Sequence, residues 1–278
     1  MKKRHITAVA LLLLFCCAAT SLKAQLYAGI HGGYTLPQGY YADSRMSDNE
    51  WMFAEGHQQK AGAGKGWGAG IDISYAMPFF PNVEVTFSGD YLQSGVSRDV
   101  KEYYEFSYAN RYSECSQYLM KLPKFRNVTL LLGVRYCHPL GGIFDLYGEA
   151  LAGANIRMIS DWTLVYTKGD WLPDENYDFP EYNNIDIRNY NNATTFAFSL
   201  GAGFLVKKTV TVGANFMMLG KSPLTWDRHS ATRYNIYGQV VEYPDDRHVD
   251  YTDMNPTMVM VKIAYRLQPF KTKHVQDW

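Results

Sequence analysis

The feature that most restricts this chain is an alternation of apolar with small or polar residues at a period of two, repeated in eight segments. That period belongs to the β-strand, whose successive side chains leave opposite faces, whereas a helix needs apolar positions three and four apart. The segments are 26–36, 64–77, 83–93, 126–137, 144–159, 194–206, 210–219 and 257–267. In the last of them Val259, Val261, Ile263, Tyr265 and Leu267 oppose Met258, Met260, Lys262, Ala264 and Arg266. The second contains "GAGKGWGAGID", which invites a phosphate-loop reading. Its glycines, at 62, 64, 66, 68 and 70, fit neither the dinucleotide spacing nor a P-loop. They are one face of a strand.

The connections alternate as well. Those after the second, fourth and sixth segments are a few residues long, and the others run to roughly twenty to forty. Short turns at one end and long loops at the other is the asymmetry of bacterial outer-membrane barrels, with the turns periplasmic. A strand protein in hydrocarbon must satisfy every backbone group internally and so must close on itself. The expected fold is therefore all-β: an eight-stranded antiparallel transmembrane β-barrel.

Eight strands enclose an interior just wide enough for side chains to fill. The face opposite the apolar one carries Asp72, Glu84, Asp90 and Glu149 against Arg135, Arg157, Lys262 and Arg266. Four acids and four bases leave no net charge, as buried ions require. These eight are expected to form a salt-bridge network that plugs the lumen, with inner glycines at 66, 68, 70, 133, 201, 203 and 213 making room for the long side chains.

The N-terminus reads separately. Lys2, Lys3, Arg4 and His5 precede an apolar run, 6–19, and Ala24 precedes Gln25, the pattern of a secretory signal peptide over 1–24 that leaves a barrel domain over 25–278. Cleavage would leave 23 basic against 27 acidic residues, which argues against a nucleic-acid partner. Of four cysteines, Cys115 and Cys137 would remain, too few for a disulfide framework, and their redox state stays open. Aromatic residues make up 15% of the chain, a proportion that suits the interfacial girdles of a membrane barrel.

With "LKAQ" at the signal's end, "LYAGIHGGYTLP" as first strand, a Gly-rich second strand and "MVMVKIAYRL" as the last, the chain resembles the outer-membrane β-barrel domain family, the small eight-stranded barrels of OmpA-like, OmpX-like and PorT-like type. The resemblance covers the whole mature chain, and it implies structural, adhesion or envelope-assembly roles. Such barrels often end on an aromatic read by the assembly machinery. Here eleven residues follow Leu267, and Tyr265, Phe270 and Trp278 are all candidates.

Candidates for chemistry are few. Asp227-Arg-His229 and Asp246-Arg-His248 repeat an Asp-x-His spacing that resembles half of an omptin protease site, without the second carboxylate pair. His31, on the inner face of the first strand, reads as one hydrogen-bonded member of the plug. The segment 161–186 holds seven acids among aromatics but no EF-hand spacing, and reads as a hydrophilic, mobile loop suited to protein or glycan contact. The expectation is a non-enzymatic monomer without catalytic residues, cofactor or metal. Its partners would be outer-membrane lipid and lipopolysaccharide, with a protein or glycan ligand at the loops. A narrow OmpW-like channel for small solutes is the alternative, and an envelope enzyme a more remote one.

Overall fold

The computed structural model describes residues 26–43, 61–77, 79–102, 115–168, 183–229, 232–234, 240–242, 247–250 and 254–267. Residues 1–24, expected to be a signal peptide, lie outside them. In chain order the elements are β1 (Leu26–Gln38), the short helix α1 (Gly39–Ala42), β2 (Ala63–Ala76), β3 (Val83–Val96), β4 (Cys115–Lys121), β5 (Phe125–Gly141), β6 (Phe144–Ile159), β7 (Trp162–Lys168) and β8 (Asn183–Tyr190). There follow β9 (Ala193–Val206), β10 (Val210–Met218), β11 (Thr225–His229), β12 (Thr232–Tyr234), β13 (Val240–Glu242), β14 (Arg247–Asp250) and β15 (Thr257–Leu267).

Eight strands close into an antiparallel barrel in the order β1-β15-β10-β9-β6-β5-β3-β2. The seam is a continuous ladder between the first and last strands, from Ala28 opposite Leu267 to Gln38 opposite Thr257, so the barrel has no free edge. These are the eight segments marked by period two. The fourth runs further than its alternation suggests, because His138 and Pro139 continue the ladder opposite Leu146 and Asp145.

The turn side is tight. Between β5 and β6 Gly142 takes φ +69°, a left-handed conformation that glycine adopts without cost. Between β9 and β10 Lys207 and Lys208 are both left-handed, at φ +51° and +55°, and Thr209 N donates to Val206 O at 3.0 Å. Three residues thus join Val206 to its partner Val210, with two consecutive left-handed positions and no glycine.

The long connections correct the sequence reading. Segment 161–186 was expected to be a mobile loop, yet both its described ends are strands. β7 and β8 pair from Trp162 opposite Arg188 to Thr167 opposite Asn183, forming the middle of a five-stranded sheet in the order β14-β11-β8-β7-β4. Five of the segment's acids, Asp170, Asp174, Glu175, Asp178 and Glu181, lie outside the described residues. A separate two-stranded sheet joins β12 to β13. β7 begins three residues after β6 ends, and β8 ends three residues before β9 begins, so this sheet stands on the β6–β9 wall of the barrel.

The barrel's outside is apolar and bare: Phe196 is 70% exposed, Ile30 and Ile263 62%, Leu132 59%. In water such a band would be an aggregation surface. In hydrocarbon it costs nothing, and it ends where such a band should end. Trp67 on β2 lies against Tyr91 on β3, ring centroids 5.5 Å apart, towards the loop side, while Tyr136 on β5 and Tyr265 on β15 mark the turn side. The inside is buried, and it is there that the barrel keeps its charges.

Candidate functional site

The inner face fills the lumen in two layers. Nearer the turns lies an ionic layer. Glu149 Oε2 receives both Nε and Nη2 of Arg135, at 2.8 and 2.6 Å, and Glu149 Oε1 receives Lys262 Nζ at 3.1 Å and Asn215 Nδ2 at 2.7 Å. Glu84 accepts Arg266 Nη2 on both oxygens, at 3.0 and 2.9 Å, and the same guanidinium lies 4.2 Å over the Tyr27 ring. Asp72 sits 3.9 Å from both Arg135 and Lys262. Each of these residues is at least nine-tenths buried.

His31 joins two acids within this layer. Its Nε2 is 2.6 Å from Asp90 Oδ1 and its Nδ1 3.2 Å from Asp72 Oδ2, the second being an ion-pair distance without hydrogen-bond alignment. Asp90 Oδ2 is held from the other side by the hydroxyls of Ser88 and Thr129, at 3.1 and 3.0 Å. Every oxygen of this carboxylate is thus used, which burial demands.

All eight charged residues expected in the lumen are buried there, but Arg157 stands apart from the network. Its Nη2 donates to Pro223 O at 3.0 Å, and among the described residues no carboxylate pairs with it. Strand parity shows which residues point inward and is silent on their height along the barrel. Arg157 lies on the loop side, opposite Ala193, eight residues along β6 from Glu149. In its place His31 stands between two of the layer's carboxylates, Asp72 and Asp90.

Above the ions lies an apolar layer that composition did not reveal. Leu92, Leu131, Leu151, Met217, Met258 and Met260 are buried inside the barrel and contiguous with Phe125, Leu219, Leu224 and Met254 at the loop-side mouth. Segment 219–224 crosses that mouth. Leu219 O accepts Asn155 Nδ2 at 3.1 Å, and Ser222 exchanges backbone hydrogen bonds with Met254 at 3.0 and 2.8 Å. Tyr41 of α1 closes from the β1 side, edge-on to Phe125 with centroids 5.6 Å apart, and burial pushes its phenol up to about 12. On the turn side a cavity of about 160 Å³ remains, lined in part by Tyr27, Cys137, Lys208 and Arg266. Cys137 is a free thiol there.

The described Asp-x-His pair lies on β11, in the loop-side sheet. In the ladder between β11 and β14, Asp227 stands opposite His248 and two residues before His229 on its own strand, and Asp246 lies outside the described residues. Among the described residues no group of three metal-ligating side chains converges.

No protein-family model and no curated protein matches the sequence. Among solved structures the chain is similar in outline to Neisserial surface protein A, with 10% identity over 89% of this chain and 99% of that one and a TM-score of 0.39. A major outer membrane protein from Thermus thermophilus gives 12% identity, 88% and 100% coverage and a TM-score of 0.40. OprG from Pseudomonas aeruginosa gives 14%, 88% and 97%, and 0.39. Closed strands, a lipid-facing exterior and a sorted set of turns and loops make this chain an eight-stranded β-barrel of outer-membrane type, and its place is the outer membrane.

Proposed function

We propose that this barrel is a closed, non-enzymatic monomer whose role is binding, carried by the sheet raised above its loop-side rim. One observation carries the reading: the lumen holds two successive fillings of different chemistry. An aqueous path would have to pass both the ion pairs around Glu149 and the Leu-Met layer above them. Water and small solutes cross a barrel through polar lumens, and an apolar constriction excludes them by dewetting. What remains for interaction is the loop side, where the chain places about as many strands as in the barrel wall itself. Outer-membrane lipid and lipopolysaccharide surround the belt in this reading, and a protein or glycan ligand meets the sheet.

Planar-bilayer recording of the purified full chain tests it. A closed lumen gives no stable single-channel steps, whereas reproducible ohmic conductance would favour a small-solute channel and end the proposal.

A further inference from the structure

Along the eight barrel strands the outward positions carry two charged side chains, Lys65 of β2 and Arg126 of β5, and no carboxylate. Both are cations, and both lie at the loop-side end of their strands. Lys124, one residue before β5, extends the same ladder: its O accepts Ser160 N at 3.0 Å, and it is exposed two residues from Arg126. The opposite wall differs. At the loop-side ends of β1, β15, β10 and β9 the outward residues are Gln38, Thr257, Met218 and Thr194, none of them charged. A charge on a lipid-facing strand is tolerated only near the interface. Cations gathered at one end and in one sector ask for an anion there.

The backbone leaves room for one. Between Ala63 and Gly66 the ladder slips by one residue, so Gly64 and Lys65 face the single residue Gly95 of β3. A bulge of this kind re-aims a side chain, and Lys65 is exposed. Beside it the surface is open, since a Cβ on Gly95 would meet nothing within 4 Å. Two residues back along β3, Gln93 stands between Trp67 and Arg126, its Oε1 taken by the Tyr91 hydroxyl at 3.1 Å. Lys65 and Arg126 thus flank β3, about 10 Å apart across the sheet. Arg126 is half-buried, and its Nε is covered without a hydrogen-bond partner. Among the described residues no carboxylate pairs with any of the three cations. Glu102, in the segment after β3, is taken by Arg98, and Asp161, beside Ser160, is exposed and takes none of them.

We propose that Lys65, Lys124 and Arg126 hold the phosphorylated saccharide headgroup of an outer-leaflet lipid, lipopolysaccharide, on the β2–β3–β5 wall. The phosphoryl groups of that headgroup sit at the polar boundary of the leaflet, and a guanidinium fork matches their oxygens. Lysine stems lie along apolar surface and bring their charge up to the same boundary. Below, the acyl chains run over Ile71, Phe87 and Leu130, where no polar side chain interrupts the outward face. The Trp67–Tyr91 pair stands between sugar and hydrocarbon, an apolar body with a polar edge. A soluble anion has no use for the lower half of this surface, and for that reason the occupant is a lipid. The proposal deepens the reading above, in which lipopolysaccharide surrounds the belt, by giving it one fixed place. It rests on the outer-membrane location and not on the closed lumen.

The test titrates the full chain, folded in detergent micelles, with purified lipopolysaccharide. The comparison probes are the same lipid stripped of phosphate and its deacylated, phosphorylated saccharide. Wild-type protein is expected to bind the intact lipid about tenfold or more tightly than either comparison probe, with affinity falling as salt rises. K65Q/K124Q/R126Q is expected to lose about tenfold or more. K207Q, which removes the same charge from the β9–β10 turn at the other end of the barrel, should bind as wild type does. Folding is checked by heat-modifiable gel mobility; should the triple variant fail that check, K65Q, at the exposed bulge position alone, must still weaken binding. Unchanged affinity in a folded K65Q or triple variant, or equal binding of either comparison probe by wild type, overturns the proposal. Reproducible conductance would end the closed-barrel reading and leave this one standing.

Discussion

His31 Nε2 and Asp90 Oδ1 stand 2.6 Å apart on β1 and β3, joined over the glycine that occupies β2 between them. A Cβ on Gly70 would lie 2.6 Å from that nitrogen and would press on Gly89 O as well. The pair thus explains a glycine of the second strand: its missing side chain is where the imidazole crosses. His31→Ala would leave Asp72 and Asp90 facing a void without the imidazole between them. Removing one partner of a buried pair costs about 3–5 kcal/mol. Urea unfolding in micelles, followed by fluorescence, should show the unfolding free energy fall by that amount, through a lower midpoint at unchanged slope. A change within about 0.5 kcal/mol, the ordinary range of a surface substitution, would mean that the contact is not a buried ion pair.

A second glycine gives a sharper contrast. On Gly201 a Cβ would sit 2.8 Å from Glu149 Cγ and from both amide atoms of Asn215, so an alanine there displaces the carboxylate that holds Arg135 and Lys262. On Gly95 a Cβ would meet nothing within 4 Å. Gly201→Ala is expected to cost about 1–3 kcal/mol as overpacking, and Gly95→Ala to stay within about 0.5. The temperature at which each variant loses its folded gel mobility ranks them. Equal shifts would mean that the inner face tolerates a methyl group at Gly201.

The apolar layer answers separately. Leu151 is 2% exposed among Leu131, Met217 and their neighbours, and Leu151→Ala should cost about 2–5 kcal/mol through the cavity it leaves. Bilayer current should stay absent, since the ion pairs of Arg135 and Lys262 with Glu149 still block the path below. Stable conductance in this variant alone would show that the Leu-Met layer is the real seal and the ionic layer is permeable.

How much of this was legible beforehand depends on what a single strand can reveal. The faces of all eight barrel strands follow from parity, because hydrocarbon outside and enclosure inside act on every residue alike. Partners do not, because they depend on stagger between strands distant in sequence. Arg157 and Glu149 share a strand face, yet one meets Pro223 O and the other Arg135. The loop-side sheet escaped for a different reason. A stretch such as Asn183–Tyr190, "NNIDIRNY", alternates without an apolar partner face strong enough to announce a strand.

The exterior gives the most direct test of where the barrel lives. Leu132 lies midway along the outward apolar run of β5, Val128 to Tyr136, and is 59% exposed. Leu140, at the turn end of the same strand, is 55% exposed. Around a water-soluble barrel an exposed position tolerates almost anything, and arginine at either site would change stability by no more than about 0.5 kcal/mol. In a bilayer the two positions differ in depth, and depth decides the cost of a charge. Leu132→Arg should cost about 2–4 kcal/mol, and Leu140→Arg about 0–1, in unfolding measured from lipid vesicles. Near-equal values would remove the hydrocarbon from the picture, and with it the reason for a band of bare Ile, Leu, Val and Phe around a core of salt bridges.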